Sequence, residues 1–417
     1  MNEGAVRARS TAEQVARRSY GKLVAFLASR TRDVAAAEDA LSEAFAAALA
    51  DWPAKGVPSN PEAWLMTVAR RKWIDADRRR ERSGVVDQDL DQIAAVISAG
   101  PDGGQIPDRR LALMFACAHP AIDASVRAPL ILQAIVGLDA ATIASAFLTS
   151  PAAMSKRLVR AKTKIREAGI PLEVPERTEL ASRLEAVLEA IYAAYTEGWS
   201  DAIGADLLRR DLTGEALFLA GVVAELLPAE PEALGLLALM LHAEARRPAR
   251  RGARGEYVPL AQQDMALWDA AMIAQAELLL QKASRLRAVG RYQLEAAVQS
   301  AHVARCQTGN ANWEQVVAIY DALLAITASP VVGINRALAV AEVRGADAGL
   351  EALPSADADA RLRDYQPYWA ARAELLARSG ASEEAHHAYD VALGLERDSA
   401  IREFLEKRRS GLGETKP

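Results

Sequence analysis

Residues 149–166 read TSPAAMSKRLVRAKTKIR and predict an amphipathic helix with one strongly basic side. Ser150 is a favourable N-cap residue, and Pro151 suits the first position of a helix. Apolar side chains recur at helical spacing and indicate a single buried face; they are Met154, Leu158, Ala161 and Ile165. The other positions carry six cations and no acid. This segment therefore predicts a helix that packs on one side and presents positive charge on the other.

The residues just upstream extend this prediction to a two-helix motif. Residues 140–148, AATIASAFL, predict a short helix that is followed by a tight turn. A helix, a turn and a basic second helix make a helix-turn-helix, whose second helix lies in the major groove of DNA. The motif therefore predicts a DNA-binding protein.

A second basic helix is predicted at residues 62–82, EAWLMTVARRKWIDADRRRER. Seven of the thirteen residues from Arg70 to Arg82 are basic, and Trp64 and Trp73 lie within the same helix. Basic side chains neutralise phosphates, and aromatic faces accept unstacked bases. A solvated charged helix face is the alternative interpretation. The second DNA-binding element that follows along the chain favours nucleic-acid binding.

Composition and charge define the class of protein. The 417 residues are rich in alanine and leucine with helical periodicity throughout, which predicts an all-α fold. Residues 1–170 hold 24 Lys and Arg against 19 Asp and Glu, whereas residues 171–417 hold 26 against 36. A basic first part and an acidic second part suit a DNA-binding module joined to one that avoids nucleic acid. Two distant cysteines and the lack of a signal peptide or membrane-length apolar run predict a cytoplasmic protein without membrane contact.

Four segments follow from the breaks in this pattern. We expect a first helical domain over residues 1–83, a flexible linker over 84–107, a helix-turn-helix domain over 108–170 and a long helical domain over 176–417. Gly309, Gly345 and Gly380 recur at intervals of 36 and 35 residues, as in tetratricopeptide (TPR) helical hairpins. Residues 369–392 fit the packing positions of that repeat best.

The order of these segments resembles a known family. The chain is similar to bacterial RNA polymerase sigma factors of the sigma-70 family. The resemblance lies in four successive segments: AEDALSEAFAAAL, AWLMTVARRKWIDADRRRER, a linker and a motif ending in SKRLVRAKTKIR. The resemblance covers about residues 10–168 and is to the extracytoplasmic-function (ECF) class, which keeps only regions 2 and 4. The later segments AIYAAYTEGW, LGLLALMLHAEARRPAR and GEYVPLAQQDMALWD resemble the ECF subgroup with a C-terminal TPR-like extension.

The resemblance implies roles in region 2. The AEDALSEAF helix would dock on the clamp of the polymerase β′ subunit through four residues: Asp39, Leu41, Glu43 and Phe45. Alternatively, Leu41 and Phe45 are core residues and the acids are merely exposed. Residues 51–61 would form the loop that receives a base flipped from the −10 element. Contacts with the −10 DNA would come from Trp64, Arg70, Arg71, Trp73, Arg78 and Arg79.

Region 4 would recognise the −35 element and contact the polymerase β flap. Residues early in a recognition helix reach base edges most directly, which favours Ala153, Ser155, Lys156 and Arg157. We expect Arg160, Lys162 and Lys164 to hold phosphates, which fix the register of the helix on DNA. The acidic residues 85–97 would either thread toward the polymerase active-site channel or act as a tether.

No catalytic, cofactor or metal site is predicted. The chain has no Walker loop, GxSxG or HExxH motif, and Cys117 and His119 lack a second metal-ligand pair. TPR-like arrays bind proteins, so we expect a regulatory protein partner at the C-terminal domain. The leading hypothesis is a non-enzymatic sigma factor whose partners are core RNA polymerase and promoter DNA. The alternative is a helix-turn-helix repressor or activator with a TPR-like sensor domain.

Overall fold

The computed structural model describes residues 3–81, 109–147, 149–172, 175–199 and 207–413. Within these ranges the regular secondary structure is helical, apart from one isolated β-bridge between Arg251 and Tyr257. The predicted all-α fold is therefore confirmed. The predicted linker, residues 84–107, lies outside the described residues.

Three helices form the first helical group: α1 (Glu3–Thr31), α2 (Val34–Lys55) and α3 (Pro61–Glu81). The chain reverses between α1 and α2 through Arg32, which adopts a left-handed φ of 53°. Asp33 then caps α2 by accepting a hydrogen bond from the Ala36 amide at 3.0 Å. Alanine and leucine side chains from all three helices fill the core between them.

The second helical group contains α4 (Arg110–Cys117), α5 (Ala124–Ile131), α6 (Ala140–Ala146) and α7 (Pro151–Glu167). A single π-helical turn, Leu132–Val136, continues α5 and ends at Gly137 in the left-handed conformation. Apolar side chains of α4, α5 and α7 are buried, among them Phe115, Leu130 and Leu158.

Two further helices extend the compact unit that contains both groups. Helix α8 (Arg177–Trp199) packs on α4 and α5, where the buried Arg183 donates a hydrogen bond to the Phe115 carbonyl at 3.3 Å. Helix α9 (Leu207–Leu226) starts in the same unit, with Glu215 paired to Arg110. The N-terminal unit therefore includes the described residues up to 199 and 207–219. The predicted boundary at residues 170–176 does not separate the two units, because α8 packs on the second helical group.

The C-terminal unit, residues 220–413, is a succession of helices that pack mainly on their sequence neighbours. After the end of α9 they are α10 (Pro231–Ala245), α11 (Ala270–Arg285), α12 (Arg291–Thr308), α13 (Trp313–Thr327), α14 (Pro330–Arg344), α15 (Ala346–Ala352), α16 (Gln366–Ser379), α17 (Ser382–Leu395) and α18 (Ser399–Ser410). Short 3₁₀ turns lie at 247–250, 260–262, 265–267, 360–362 and 411–413.

The glycines that recur along this unit end helices. Gly309, Gly345 and Gly380 have φ values of 71°, 91° and 85°, which L side chains rarely adopt. Their spacing therefore follows the length of one helical hairpin. The last hairpin, α16 and α17, encloses a buried cluster within the predicted range 369–392, which includes Ala373, Leu376, Ala385, Tyr389 and Ala392.

The segment between α10 and α11 reaches the end of the chain. The Arg251 guanidinium donates hydrogen bonds to both oxygens of the Asp398 carboxylate, from Nη1 to Oδ1 at 3.4 Å and from Nη2 to Oδ2 at 2.5 Å. The rings of Tyr257 and Phe404 meet edge to face, with centroids 5.3 Å apart. This segment therefore ties the beginning of the C-terminal unit to α18.

Candidate nucleic-acid interface

Helices α6 and α7 are each capped by a side chain. The Asp139 carboxylate accepts hydrogen bonds from the amides of Ala141 and Thr142 at 2.8 and 2.9 Å and starts α6. Ser150 caps α7 as predicted, since its hydroxyl accepts from the Ala153 amide at 3.3 Å. The predicted buried stripe of α7 is also confirmed: Met154, Leu158, Ala161 and Ile165 are all buried. The burial of this stripe fixes which side of α7 faces solvent.

The solvent side of α7 is basic. Ser155, Lys156 and Arg157, which were predicted to reach bases, are exposed, whereas Ala153 is half-buried. Arg160 and Lys164 are also exposed, as phosphate contacts require. Val159 lies among these cations with 62% of its surface exposed, an apolar residue that the sequence analysis did not single out. The exposed side of α7 therefore combines positive charge with one large apolar side chain.

A cleft of about 470 Å³ runs beside this basic side. Its walls are the first turn of α5 and three cations of α7: Arg157, Arg160 and Lys164. Hydrogen bonds from Ser125 lower the pKa of Asp123, which also lies in the cleft. An ionised Asp123 offsets part of the positive charge on the α5 side.

Lys162 is placed differently from the other predicted phosphate contacts. Its ammonium group pairs with the Glu38 carboxylate of α2, and both side chains are largely buried. Arg166, one turn further along α7, lies 3.5 Å from the Asp33 carboxylate. In this structure Lys162 is therefore held by a carboxylate, contrary to the prediction that it is open to a phosphate. Its position four residues after the buried Leu158 could have indicated this partial burial.

The aromatic residues of α3 are only partly accessible. Trp64 is half-buried and meets the buried Trp52 edge to face, with centroids 5.4 Å apart. Trp73 and Arg70 are half-buried, and Arg71 is exposed. The side chains of two other predicted −10 contacts, Arg78 and Arg79, lie outside the described residues. Packing against Trp52 gives Trp64 a structural role in this group.

The loop before α3 is shorter than predicted. Helix α2 continues through Pro53 to Lys55, and the connection to α3 consists of residues 56–60. Pro53 has no N–H to donate to the Leu49 carbonyl, and α2 ends soon after it, at Gly56, whose amide donates to the Trp52 carbonyl at 2.9 Å. The prediction of a break over residues 51–61 is thus wrong for its first half.

The predicted polymerase-docking residues of α2 differ in exposure. Asp39 is exposed, and Glu43 is exposed with its carboxylate 3.3 Å from the Lys72 ammonium group. Phe45 is half-buried. Leu41 is completely buried, so it is a core residue in this structure and cannot touch a partner protein. Of these four residues, the two acids and part of Phe45 are therefore accessible.

Comparison with known protein families gives matches to two separate parts of the chain. Residues 15–83, which form most of the first helical group, match sigma-70 region 2. The protein carries a sigma-70 region 2 domain. Residues 183–284 match a family of unknown function, DUF6596, and no solved structure matches the chain.

One relative is similar to this protein over most of the chain. An uncharacterized protein of Rhizobium meliloti (strain 1021) is 38% identical over 369 residues, which cover 87% of each chain. The two proteins belong to one family. Their similarity therefore includes the helices that follow the sigma-70 region 2 domain.

The described residues hold no group of three or more His, Cys, Asp or Glu side chains arranged to bind a metal ion. Cys117 is completely buried, which raises the pKa of its thiol. None of the helices in the described ranges combines the length and hydrophobicity needed to cross a membrane.

Proposed function

We propose that this protein is a non-enzymatic RNA polymerase sigma factor of the extracytoplasmic-function class, acting in the cytoplasm with core polymerase. The observation that carries the proposal is the sigma-70 region 2 domain over residues 15–83, followed along the chain by the basic helix α7. An ordinary duplex-binding regulator has no need of region 2, whereas a sigma factor needs both a polymerase-docking and a promoter-reading element.

In this proposal α6 and α7 are the helix-turn-helix of region 4. Lys156 and Arg157 contact base edges of the −35 element, with Ser155 beside them. Arg160 and Lys164 bind the flanking phosphates. The exposure of all five side chains in α7 supports these roles. The outer surface of the second helical group would receive the polymerase β flap.

Region 2 would supply the other two contacts. Asp39 and Glu43, exposed on α2, dock on the β′ clamp together with the accessible part of Phe45. Arg70, Arg71 and Trp73 of α3 then contact the opened −10 element, where cations bind phosphate and the indole stacks on a base.

The C-terminal unit would act as a protein-binding regulatory array of the TPR-like type. Its helical hairpins and their glycine spacing support this role, as does a groove of about 550 Å³ beside Trp313 and Glu342. Such arrays hold extended or helical segments of a partner protein and perform no chemistry.

Binding to purified core RNA polymerase tests the proposal. We expect Asp39→Lys to weaken the affinity of the full-length protein for core polymerase by about tenfold, since 1.4 kcal/mol corresponds to one decade. Glu13→Lys is the matched control, because it makes the same charge reversal on an exposed residue of α1. Failure of the unmodified protein to bind core polymerase, with retained binding to duplex DNA, would favour a conventional regulator instead.

A further inference from the structure

The groove beside Trp313 and Glu342 in the C-terminal unit has acidic walls. It lies between α12, α13 and α14 and has a volume of about 550 Å³. A groove of this size suits a small molecule or one long side chain together with the backbone that carries it. The described residues that line it include the carboxylates of Glu314 and Glu342 and no lysine or arginine. The groove therefore favours a cationic ligand.

Both carboxylates have oxygens that are open to a donor. Arg378 of α16 fixes Glu342, because its Nη1 atom donates to Oε1 at 2.5 Å and its Nη2 atom donates to the Ala341 carbonyl at 3.3 Å. The Oε2 atom of Glu342 has no hydrogen-bond partner among the described residues. Glu314 lies in the first turn of α13, is exposed, and makes no ion pair within the described part of the chain. The ligand can therefore reach a carboxylate from either helix.

Asn312 adds an acceptor to the same wall. Its Nδ2 atom donates to the Ala301 carbonyl at 2.8 Å, which fixes the orientation of the side-chain amide. Its Oδ1 atom is buried and has no hydrogen-bond partner in the described ranges. A buried acceptor without a partner costs free energy until a donor reaches it. A ligand that carries N–H groups would supply that donor.

The indole of Trp313 supplies an apolar surface in the groove. The Arg305 guanidinium lies over its ring, 3.9 Å from the centroid, and the His302 ring meets it edge to face at 5.9 Å. Because Arg305 already occupies one face, a second cation gains less from this ring than from a free indole. Trp313 and Val343, which is 39% exposed, instead offer apolar contact to methylene groups.

We propose that this groove binds an arginine side chain in an extended segment of a partner protein. The guanidinium donates to the open carboxylate oxygens and to Oδ1 of Asn312, while the aliphatic part of the side chain packs on Trp313. Arginine fits better than lysine, because its planar guanidinium carries five N–H donors in a fork that matches a carboxylate. The inference rests on the proposed protein-binding role of the C-terminal unit and specifies the chemistry of the partner.

Selection from a random-peptide library by the immobilised full-length protein tests the proposal. We expect the bound peptides to contain arginine at several times its frequency in the unselected library, with a weaker enrichment of lysine. Glu314→Gln should remove the arginine enrichment, because it takes the unpaired carboxylate out of the groove. Glu383→Gln is the matched control, because it makes the same change on an exposed glutamate in the first turn of α17. Both substitutions therefore alter the interaction with a helix N-terminus in the same way.

A selected peptide and its citrulline counterpart then measure the contribution of the guanidinium. Citrulline keeps the length and planar end of arginine but carries no charge. We expect the replacement to weaken binding by about tenfold in titration calorimetry, because charge-assisted hydrogen bonds to carboxylates are the strong ones. With the Glu314→Gln protein the two peptides should differ by only about twofold, since the partner of the charge is then missing.

The outcomes separate this inference from the proposed function. The arginine site is overturned if arginine is not enriched, or if Glu314→Gln keeps the enrichment as Glu383→Gln does. Peptides selected without a preference for arginine would overturn it while the protein-binding role of the C-terminal unit stands. If no peptide is selected at all, the arginine site and that protein-binding role both fail. Binding to core polymerase is measured separately, so the sigma function can stand in each case.

Discussion

The salt dependence of DNA binding should distinguish the cations of α7 from one another. Four of them, Lys156, Arg157, Arg160 and Lys164, are exposed on one side of the helix, whereas Lys162 is paired with Glu38. Each phosphate contact contributes about 0.9 to the slope of log affinity against log salt on duplex DNA. If all four exposed cations reach phosphate, the slope is about −3 to −4. If Lys156 or Arg157 contacts a base instead of a phosphate, the magnitude of the slope is smaller, because only phosphate contacts contribute to it.

Alanine substitutions then give graded results. We expect Arg160→Ala to reduce the magnitude of the slope by about 0.9, since its side chain is exposed and unshielded. Lys162→Ala should reduce it by less than half of that, because its partner Glu38 already neutralises it. In a Glu38→Gln background the effect of Lys162→Ala should rise toward about 0.9.

Fluorescence anisotropy with a labelled duplex over a series of salt concentrations measures these slopes. Lys282→Ala is the control, because it removes an exposed cation from α11 of the C-terminal unit. Equal effects of Arg160→Ala and Lys282→Ala would refute the assignment of DNA binding to α7. Equal effects of Arg160→Ala and Lys162→Ala in the unmodified background would refute the shielding of Lys162.

Three further predictions concern stability. Leu41→Ala should lower the free energy of unfolding by about 2–5 kcal/mol, because Leu41 is completely buried; an unchanged urea transition would contradict its core position. Glu232→Ala should cost about 1–2 kcal/mol, because the carboxylate accepts hydrogen bonds from two amides at the start of α12, at 3.0 and 3.1 Å. If the capping by Glu232 does not stabilise α12, Glu232→Ala will leave the amide hydrogen-exchange rates of α12 unchanged. Burial, together with Arg305 and Arg246, lowers the pKa of His302 to about 4. The unfolded chain therefore binds more protons between about pH 4 and pH 6.5, and stability falls as the pH falls through that window, by up to about 3 kcal/mol. His302→Gln should flatten the pH dependence of urea unfolding there, and an unaltered dependence would exclude His302 as its source.

Local features of the site could be predicted from the sequence. The Ser150 cap and the buried stripe of α7 depend on residues three or four positions apart, and the structure has both. Proline at position 53 was misleading: it removes one helical hydrogen bond, yet α2 continues through it for two more residues to Lys55. The neighbouring Trp52 is buried and packs against Trp64, a contact between two helices that the local pattern does not reveal.

Contacts between distant segments could not be predicted in this way. Glu38 and Lys162 are 124 positions apart, and nothing in either local pattern indicates that the two meet. The docking of α8 on the second helical group likewise depends on Arg183 reaching the Phe115 carbonyl. Both contacts arise from tertiary packing. Helical periodicity and charge patterns describe neighbouring residues and therefore do not predict which distant segments meet. The Glu38–Lys162 contact nevertheless determines that Lys162, unlike Arg160 and Lys164, is not exposed on α7.

Transcription in vitro tests the central claim most directly. Purified core RNA polymerase from the source bacterium is combined with the full-length protein and fragmented genomic DNA, and the 5′ ends of the transcripts are mapped. The account predicts discrete start sites that share two upstream motifs, and Asp39→Lys should lower the transcript yield by about tenfold at limiting protein concentrations, where Glu13→Lys does not. Failure of the full-length protein to bind core polymerase or to initiate transcription would contradict the account.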